Sequence, residues 1–150
     1  MKTIYLAGPI HHVTPEQAMG WRKQATETLK PYGYEILDPT KGKDLYDTDV
    51  NTKTYTPRYI VNTDISMVDK SDILLVDISH FVPMIGTSME MRDAWLKKKV
   101  IITWGEINKE SYWVRHHATS MYDRLDEALY FLKYLSTFVK KGEVKNAKSM

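Results

Sequence analysis

Apolar residues fall into short dense runs separated by longer stretches with helical spacing. Lys2 to Ala7 (KTIYLA) is β-branched and aromatic and stops at Gly8-Pro9, which predicts a buried first strand followed by a turn. Thr14-Pro15-Glu16-Gln17 offers an N-cap threonine, proline at the first helical position and glutamine three residues after the cap. A helix is therefore expected to about Lys30, ended by Pro31 and Gly33. Tyr34 to Leu37 reads as a second strand, broken by Asp38-Pro39. Residues 38–56 are polar and longer than a routine connection, so they form a candidate functional loop.

Thr56-Pro57 repeats the cap-then-proline pattern and starts a second helix to about Lys70. Ile73 to Val76 (ILLV) is continuously apolar, as a strand covered on both faces requires, with Asp77 at its carboxyl end. Thr87 is expected to cap a helix to Lys98, followed by a fourth strand from Val100 to Thr103. ESYWVRHHA predicts a short helix and TSMY a fifth, edge strand. A last helix spans Asp123 to Lys140, with Leu125, Leu129, Leu132 and Phe138 on one face. Alternation of this kind predicts an α/β domain: a mostly parallel sheet of four to five strands between helices on both faces. Ligands of such sheets bind at the carboxyl ends of the strands, which directs attention to Gly8 and Pro9, Asp38, Asp77 and the start of the Thr87 helix.

Composition narrows the chemistry. At 150 residues, 43% hydrophobic and 27% charged, the chain has the make-up of one globular domain. Residues 1–139 are read as that domain and residues 140–150 as a lysine-rich, flexible tail. There is no cysteine, which excludes disulfides, thiolate metal sites and a cysteine nucleophile. The formal charge of +2 belongs to the tail, because residues 1–139 carry 17 basic against 18 acidic side chains. A near-neutral body argues against a nucleic-acid footprint. No apolar run approaches the ~20 residues that span a bilayer, and no signal peptide is evident, so a cytoplasmic protein is expected.

The turn after the first strand, A-G-P-I-H-H, has one glycine and cannot serve as a G-x-G-x-x-G dinucleotide fingerprint, and no P-loop motif occurs. The doublets His11-His12 and His116-His117 lack metal-ligand spacing and read as loop or surface residues. G-T-S-M-E, residues 86–90, has two readings. Thr87 followed by Glu90 three residues later makes a capping box, a purely structural device. Alternatively, Glu90 is a carboxylate nucleophile at the carboxyl edge of the sheet, one that attacks an anomeric carbon as a nitrogen base leaves. Gly86, Thr87 and Ser88 would then offer N–H groups and hydroxyls to sugar oxygens or a phosphate.

Four segments together tip this balance. IYLAGP, NTDISMVDKSDILLVDIS, GTSMEMRDA and WVRHHAT, in this order and with a 26-residue interval from Asp64 to Glu90, resemble the nucleoside 2-deoxyribosyltransferase family. The resemblance covers residues 3 to about 135. It implies a flavodoxin-like, three-layer fold and exchange of the base on a 2'-deoxynucleoside, with no cofactor and no metal. Its partners are then the deoxynucleoside and a free nucleobase, in a homo-oligomer whose neighbouring subunits complete each site.

By the same resemblance Glu90 matches the nucleophile, Tyr5 a tyrosine that orients it, and Asp64 the residue that assists protonation of the leaving base. Family members carry an acid six positions before the nucleophile, where this chain has Met84; Asp77 is the nearest substitute for that sugar contact. The WVRHHAT segment is the candidate for reaching a neighbouring subunit, with His117 as its contact residue. Residues 38–56 are expected to close over the base. Two other functions stay open: N-glycoside hydrolysis of (deoxy)nucleoside 5'-monophosphates, and a non-catalytic nucleotide-binding module in which Glu90 is only a cap.

Overall fold

The computed structural model describes residues 2–42 and 56–149, with side chains as far as Phe138. The expected alternation is observed. Strands β1 (Thr3–Ala7), β2 (Glu35–Leu37), β3 (Ile73–Asp77), β4 (Val100–Trp104) and β5 (Ser120–Tyr122) are joined through helices α1 (Pro15–Leu29), α2 (Pro57–Lys70), α3 (Ile85–Leu96) and α4 (Tyr112–His117); α5 (Leu125–Ser149) follows. All four strand pairings are parallel, in the order β2-β1-β3-β4-β5. The chain thus reverses direction across the sheet between β1 and β3, and ligands of doubly wound sheets bind at such a reversal.

Alternate residues of each strand serve opposite faces. Ile4 and Leu6 of β1, with Ile73 and Leu75 of β3, pack with Trp21, Ala25 and Leu29 of α1 and with Leu125, Ala128, Leu129 and Leu132 of α5. Tyr5 and Ala7, with Leu74 and Val76, pack on the other face with Val68 of α2 and with Met91 and Ala94 of α3. β3 is buried throughout, as its uninterrupted apolar run requires.

The helix starts follow their sequence signals. Thr14 Oγ1 accepts from Gln17 N at 3.1 Å and Gln17 Oε1 from Thr14 N at 2.9 Å, a complete capping box. Thr56 caps α2 through Tyr59 N at 3.2 Å. Lys30–Tyr32 tightens into a 3-10 turn that Gly33 closes with φ 91°.

Two expectations need correction. α3 begins at Ile85, two residues before Thr87; Ser88 N already donates to Met84 O at 2.9 Å, and Met84 makes no side-chain cap. Thr87 is therefore a buried residue inside the helix, and the Thr87–Glu90 capping box is absent. α5 continues past Lys140 to Ser149, since KKGEVKNAKS contains no proline and its single glycine costs a helix only about 1 kcal/mol. Among the aromatic residues, Trp21 and Tyr34 are buried and Phe131 packs at the edge of the core, whereas Tyr134 is exposed because it lies on the opposite face of α5 from Leu132.

Candidate active site

Three chain segments converge beyond the carboxyl ends of β1 and β3. The β1–α1 turn contributes Gly8 to His12, α2 contributes Ile60 and Asp64, and the entry to α3 contributes Pro83 to Thr87 and Glu90, together lining one cleft. Gly8 is required by close approach: a Cβ there would stand 2.9 Å from Asp77 Cβ and 3.2 Å from the Trp21 ring.

Tyr5, in the middle of β1 and 1% exposed, donates its phenolic hydrogen bond to Glu90 Oε2. Burial raises the Tyr5 pKa far above its ordinary value, and the negative charges of Glu90 and Asp64 and the bond to Glu90 raise it further. The phenol therefore stays protonated and remains a donor to the carboxylate. Because the cap of α3 is Met84, three residues before Thr87, Glu90 lies in the second turn rather than the first, where the helix dipole is weaker. The hydrogen bond from Tyr5 holds one of its carboxylate oxygens. Asp64, half-buried on α2, lines the same cleft.

The remaining expected residues divide. Gly8, Pro9 and Gly86 line the cleft with Glu90 and Asp64. Asp77 does not line it; its Oδ1 accepts from Ser79 N at 2.8 Å and Ser79 Oγ at 2.5 Å, and its Oδ2 lies 3.3 Å from His80 Nε2. It caps its own loop, the structural role open to an aspartate after a strand. Asp38 is similarly engaged, accepting from Thr40 N at 2.9 Å and Thr40 Oγ1 at 2.6 Å.

Ser88 and His117 face a separate groove between α3 and α4, together with Met89, Arg92 and Trp113. His117 is buried there, its Nδ1 2.6 Å from Trp113 O and its Nε2 3.3 Å from Arg92 Nη1. A carbonyl only accepts and a guanidinium only donates, so Nδ1 carries the hydrogen and Nε2 accepts.

Sequence reasoning passed over three residues. His11 and His12, read as surface histidines, line the cleft, and His12 adopts φ 68°, a left-handed conformation uncommon outside glycine. Their position between the Gly8-Pro9 turn and the Thr14 cap was the available signal. The third is Arg22, fully buried on α1, whose spacing with Ala18, Ala25 and Leu29 already put it on the apolar face.

Comparison with known proteins bears on the family and the fold. The family model described as "Nucleoside 2-deoxyribosyltransferase" matches residues 4–129. The chain belongs to the nucleoside 2-deoxyribosyltransferase family. The 2-deoxyribosyltransferase of Bacillus psychrosaccharolyticus is similar in structure, with a TM-score of 0.66 and 18% identity over 85% of this chain and 90% of that one. The 2-desoxiribosyltransferase of Leishmania mexicana superposes with a TM-score of 0.63 and 23% identity over 89% of this chain and 98% of that one. At these identities the likeness is one of fold. In sequence, the chain is 27% identical over 99 residues to a Thermofilum pendens protein, whose assignment as "2'-deoxynucleoside 5'-phosphate N-hydrolase 1" is itself provisional. That match spans 66% of this chain and 64% of the relative's length. Family membership thus supports nucleoside N-glycosidic chemistry, of the transferase or the hydrolase kind.

Proposed function

We propose that the protein exchanges the base of a 2'-deoxynucleoside through a covalent deoxyribosyl intermediate on Glu90. The observation that carries this reading is the hydrogen bond from the buried, protonated Tyr5 to Glu90 Oε2 in a cleft that Asp64 also lines. Tyr5 engages one carboxylate oxygen, and the other is the attacking atom. As Glu90 bonds to C1', the bond from C1' to the base nitrogen breaks, and the Asp64 carboxyl gives the departing base its proton. A second base then attacks C1', returns its proton to Asp64 and releases Glu90. Two inversions give net retention. The chemistry requires no metal or cofactor.

The deciding assay supplies deoxyinosine and adenine to the purified protein. Deoxyadenosine formed without free deoxyribose is the expected result, and a Glu90→Ala variant that still exchanges bases would remove Glu90 from the mechanism. A non-catalytic binding module would show neither exchange nor hydrolysis.

Hydrolysis is the second reading, with water replacing the second base. The provisional assignment of the Thermofilum pendens relative favours it, as do His11 and His12. Among the described residues lining the cleft these are the only side chains able to carry positive charge, which suits a 5'-phosphate. Release of sugar phosphate from deoxynucleoside monophosphates, without base exchange, would select this reading.

The site is also proposed to be shared between subunits of a cytoplasmic homo-oligomer. Phe81, Ile85 and Met89 are 90%, 70% and 66% exposed around the entry to α3, and Tyr112 and Trp113 are 83% and 77% exposed at the start of α4. An apolar surface of this kind beside a cleft suits a neighbouring subunit. A monomer by sedimentation at assay concentration would exclude it. The closing loop belongs to the same proposal, with residues 43–55 lying outside the described ones. Equal protease susceptibility with and without nucleoside would count against closure.

A further inference from the structure

Arg22 is completely buried, and among the described residues no other lysine or arginine is. Its guanidinium donates from Nη1 to Ala18 O at 2.6 Å, from Nη2 to Gly8 O at 3.0 Å and from Nε to Leu6 O at 3.4 Å. It lies 4.9 Å from the Trp21 ring centroid, and its Nε is 3.8 Å from Asp38 Oδ1. Fold alone gives little reason for this arrangement. Arg22 shares its face of α1 with Ala18, Ala25 and Leu29, where an apolar side chain would fill the volume without the cost of burying a charge.

What the guanidinium grips is the end of β1 and the turn after it. Leu6 O follows directly on Tyr5, and Gly8 lines the cleft. Around this cation stand the anions of the sheet's carboxyl edge: Asp38 first, then Asp77 and Glu90, oppose the downward pull of burial on the Arg22 pKa. Removing a buried cation changes the field across the whole of that edge.

We propose that Arg22 is a positioning residue for Glu90: it ties Leu6 O and Gly8 O, at the end of the strand that carries Tyr5, to Ala18 O of α1, and it sets a buried positive charge at that carboxyl edge of the sheet. This rests on the reading of Glu90 as nucleophile. Arg22 touches neither substrate nor the reacting atoms. It acts through the tyrosine strand and through charge. Asp38 thereby gains a role that the sequence did not suggest: its Oδ1, 3.8 Å from Arg22 Nε, makes it the anion paired with the guanidinium.

The test compares pH profiles of kcat/KM for the wild type, Arg22→Met, Arg22→Lys and Asp38→Asn, each first shown to be folded by circular dichroism. Arg22→Met is expected to lower kcat at least tenfold with KM changed less than threefold, and to move the acid limb of the profile upward by about one pH unit. Arg22→Lys keeps the charge but loses the planar fork, so kcat falls while the acid limb stays within a few tenths of a unit of the wild type. Asp38→Asn frees the guanidinium from its nearest anion and moves the acid limb downward.

An unmoved acid limb in folded Arg22→Met would overturn the proposal. Should that variant not fold, an unmoved limb in Asp38→Asn would overturn it. Mass analysis of the wild type during turnover separates the two levels of the argument. No glycosyl adduct on Glu90 defeats the nucleophile reading, whereas an adduct together with unmoved acid limbs defeats only the role of Arg22.

Discussion

The hydroxyl of Tyr5 donates to Glu90 Oε2 across 85 positions of sequence, from the middle of β1 to the second turn of α3. Phenol and carboxylate are held by separate elements packed on the same face of the sheet, so their alignment is set by the core. A hydrogen bond to a charged group is worth about 1.5–3 kcal/mol. Tyr5→Phe is therefore expected to lower kcat by roughly 10- to 100-fold, since each ~1.4 kcal/mol is a factor of ten. KM should change little. Steady-state kinetics on a folded variant provide the check, and an unchanged kcat would show that the phenol does not orient the nucleophile.

Asp64 carries the leaving-group half of the mechanism. Asp64→Asn is expected to reduce base release by about 10²–10⁴-fold, the usual contribution of a positioned acid. The loss should be smaller for nucleosides whose base leaves readily without protonation. A rate series over bases of differing acidity tests this, and a uniform loss across the series would point to binding in place of proton transfer.

Gly8 couples the cleft to the core. In Gly8→Ala the new methyl would meet Asp77 Cβ at 2.9 Å and the Trp21 ring at 3.2 Å. Overpacking of this kind costs about 1–3 kcal/mol. A melting temperature lower by roughly 3–10 °C is expected, together with lost activity as the turn shifts. Thermal unfolding followed by circular dichroism measures the first effect. A variant with wild-type stability would mean that Asp77 and Trp21 yield more readily than their packing implies.

Much of the fold was legible in the sequence because its signals are local. The Thr14–Gln17 capping box, the Thr56-Pro57 start and the ILLV strand each declare themselves within a few residues. The start of α3 was misread because Thr87 and Glu90 have capping-box spacing, whereas tertiary packing turns Thr87 inward and begins the helix at Ile85. Tyr5, Asp64 and Glu90 were accessible through family resemblance. Nothing local announces that a strand tyrosine and a helix glutamate 85 positions apart will meet. Arg22 was missed because a charged residue within an apolar helical pattern reads as solvent-facing until its carbonyl partners are known. Asp38 and Asp77, placed at strand ends by a general rule, are held by their own turns, a local competition that residue type alone does not resolve.

The start of β1 carries its own pH dependence. Asp72 Oδ2 accepts from Lys2 N at 2.9 Å and Thr3 N at 3.0 Å. These backbone bonds, the one from Lys2 first, hold the Asp72 carboxyl below its ordinary pKa. A depressed folded-state pKa contributes stability that is fully present above the unfolded value, near 3.9, and lost as pH falls through the folded value. Urea midpoints for the wild type and Asp72→Asn should therefore differ at neutral pH and converge below about pH 4. A gap that persists into strong acid would contradict a charge-based origin.

The central claim is that Glu90 becomes covalently bonded to C1'. A 2'-fluoro-2'-deoxynucleoside offers the most direct test, because its electron-withdrawing fluorine destabilises the oxocarbenium-like transition state and slows release of the intermediate. After incubation and acid quench, intact-mass analysis is expected to show one added fluorodeoxyribosyl unit, mapped by peptide digestion to Glu90 and absent from Glu90→Ala. Turnover without an adduct, or an adduct on another residue, would contradict the account.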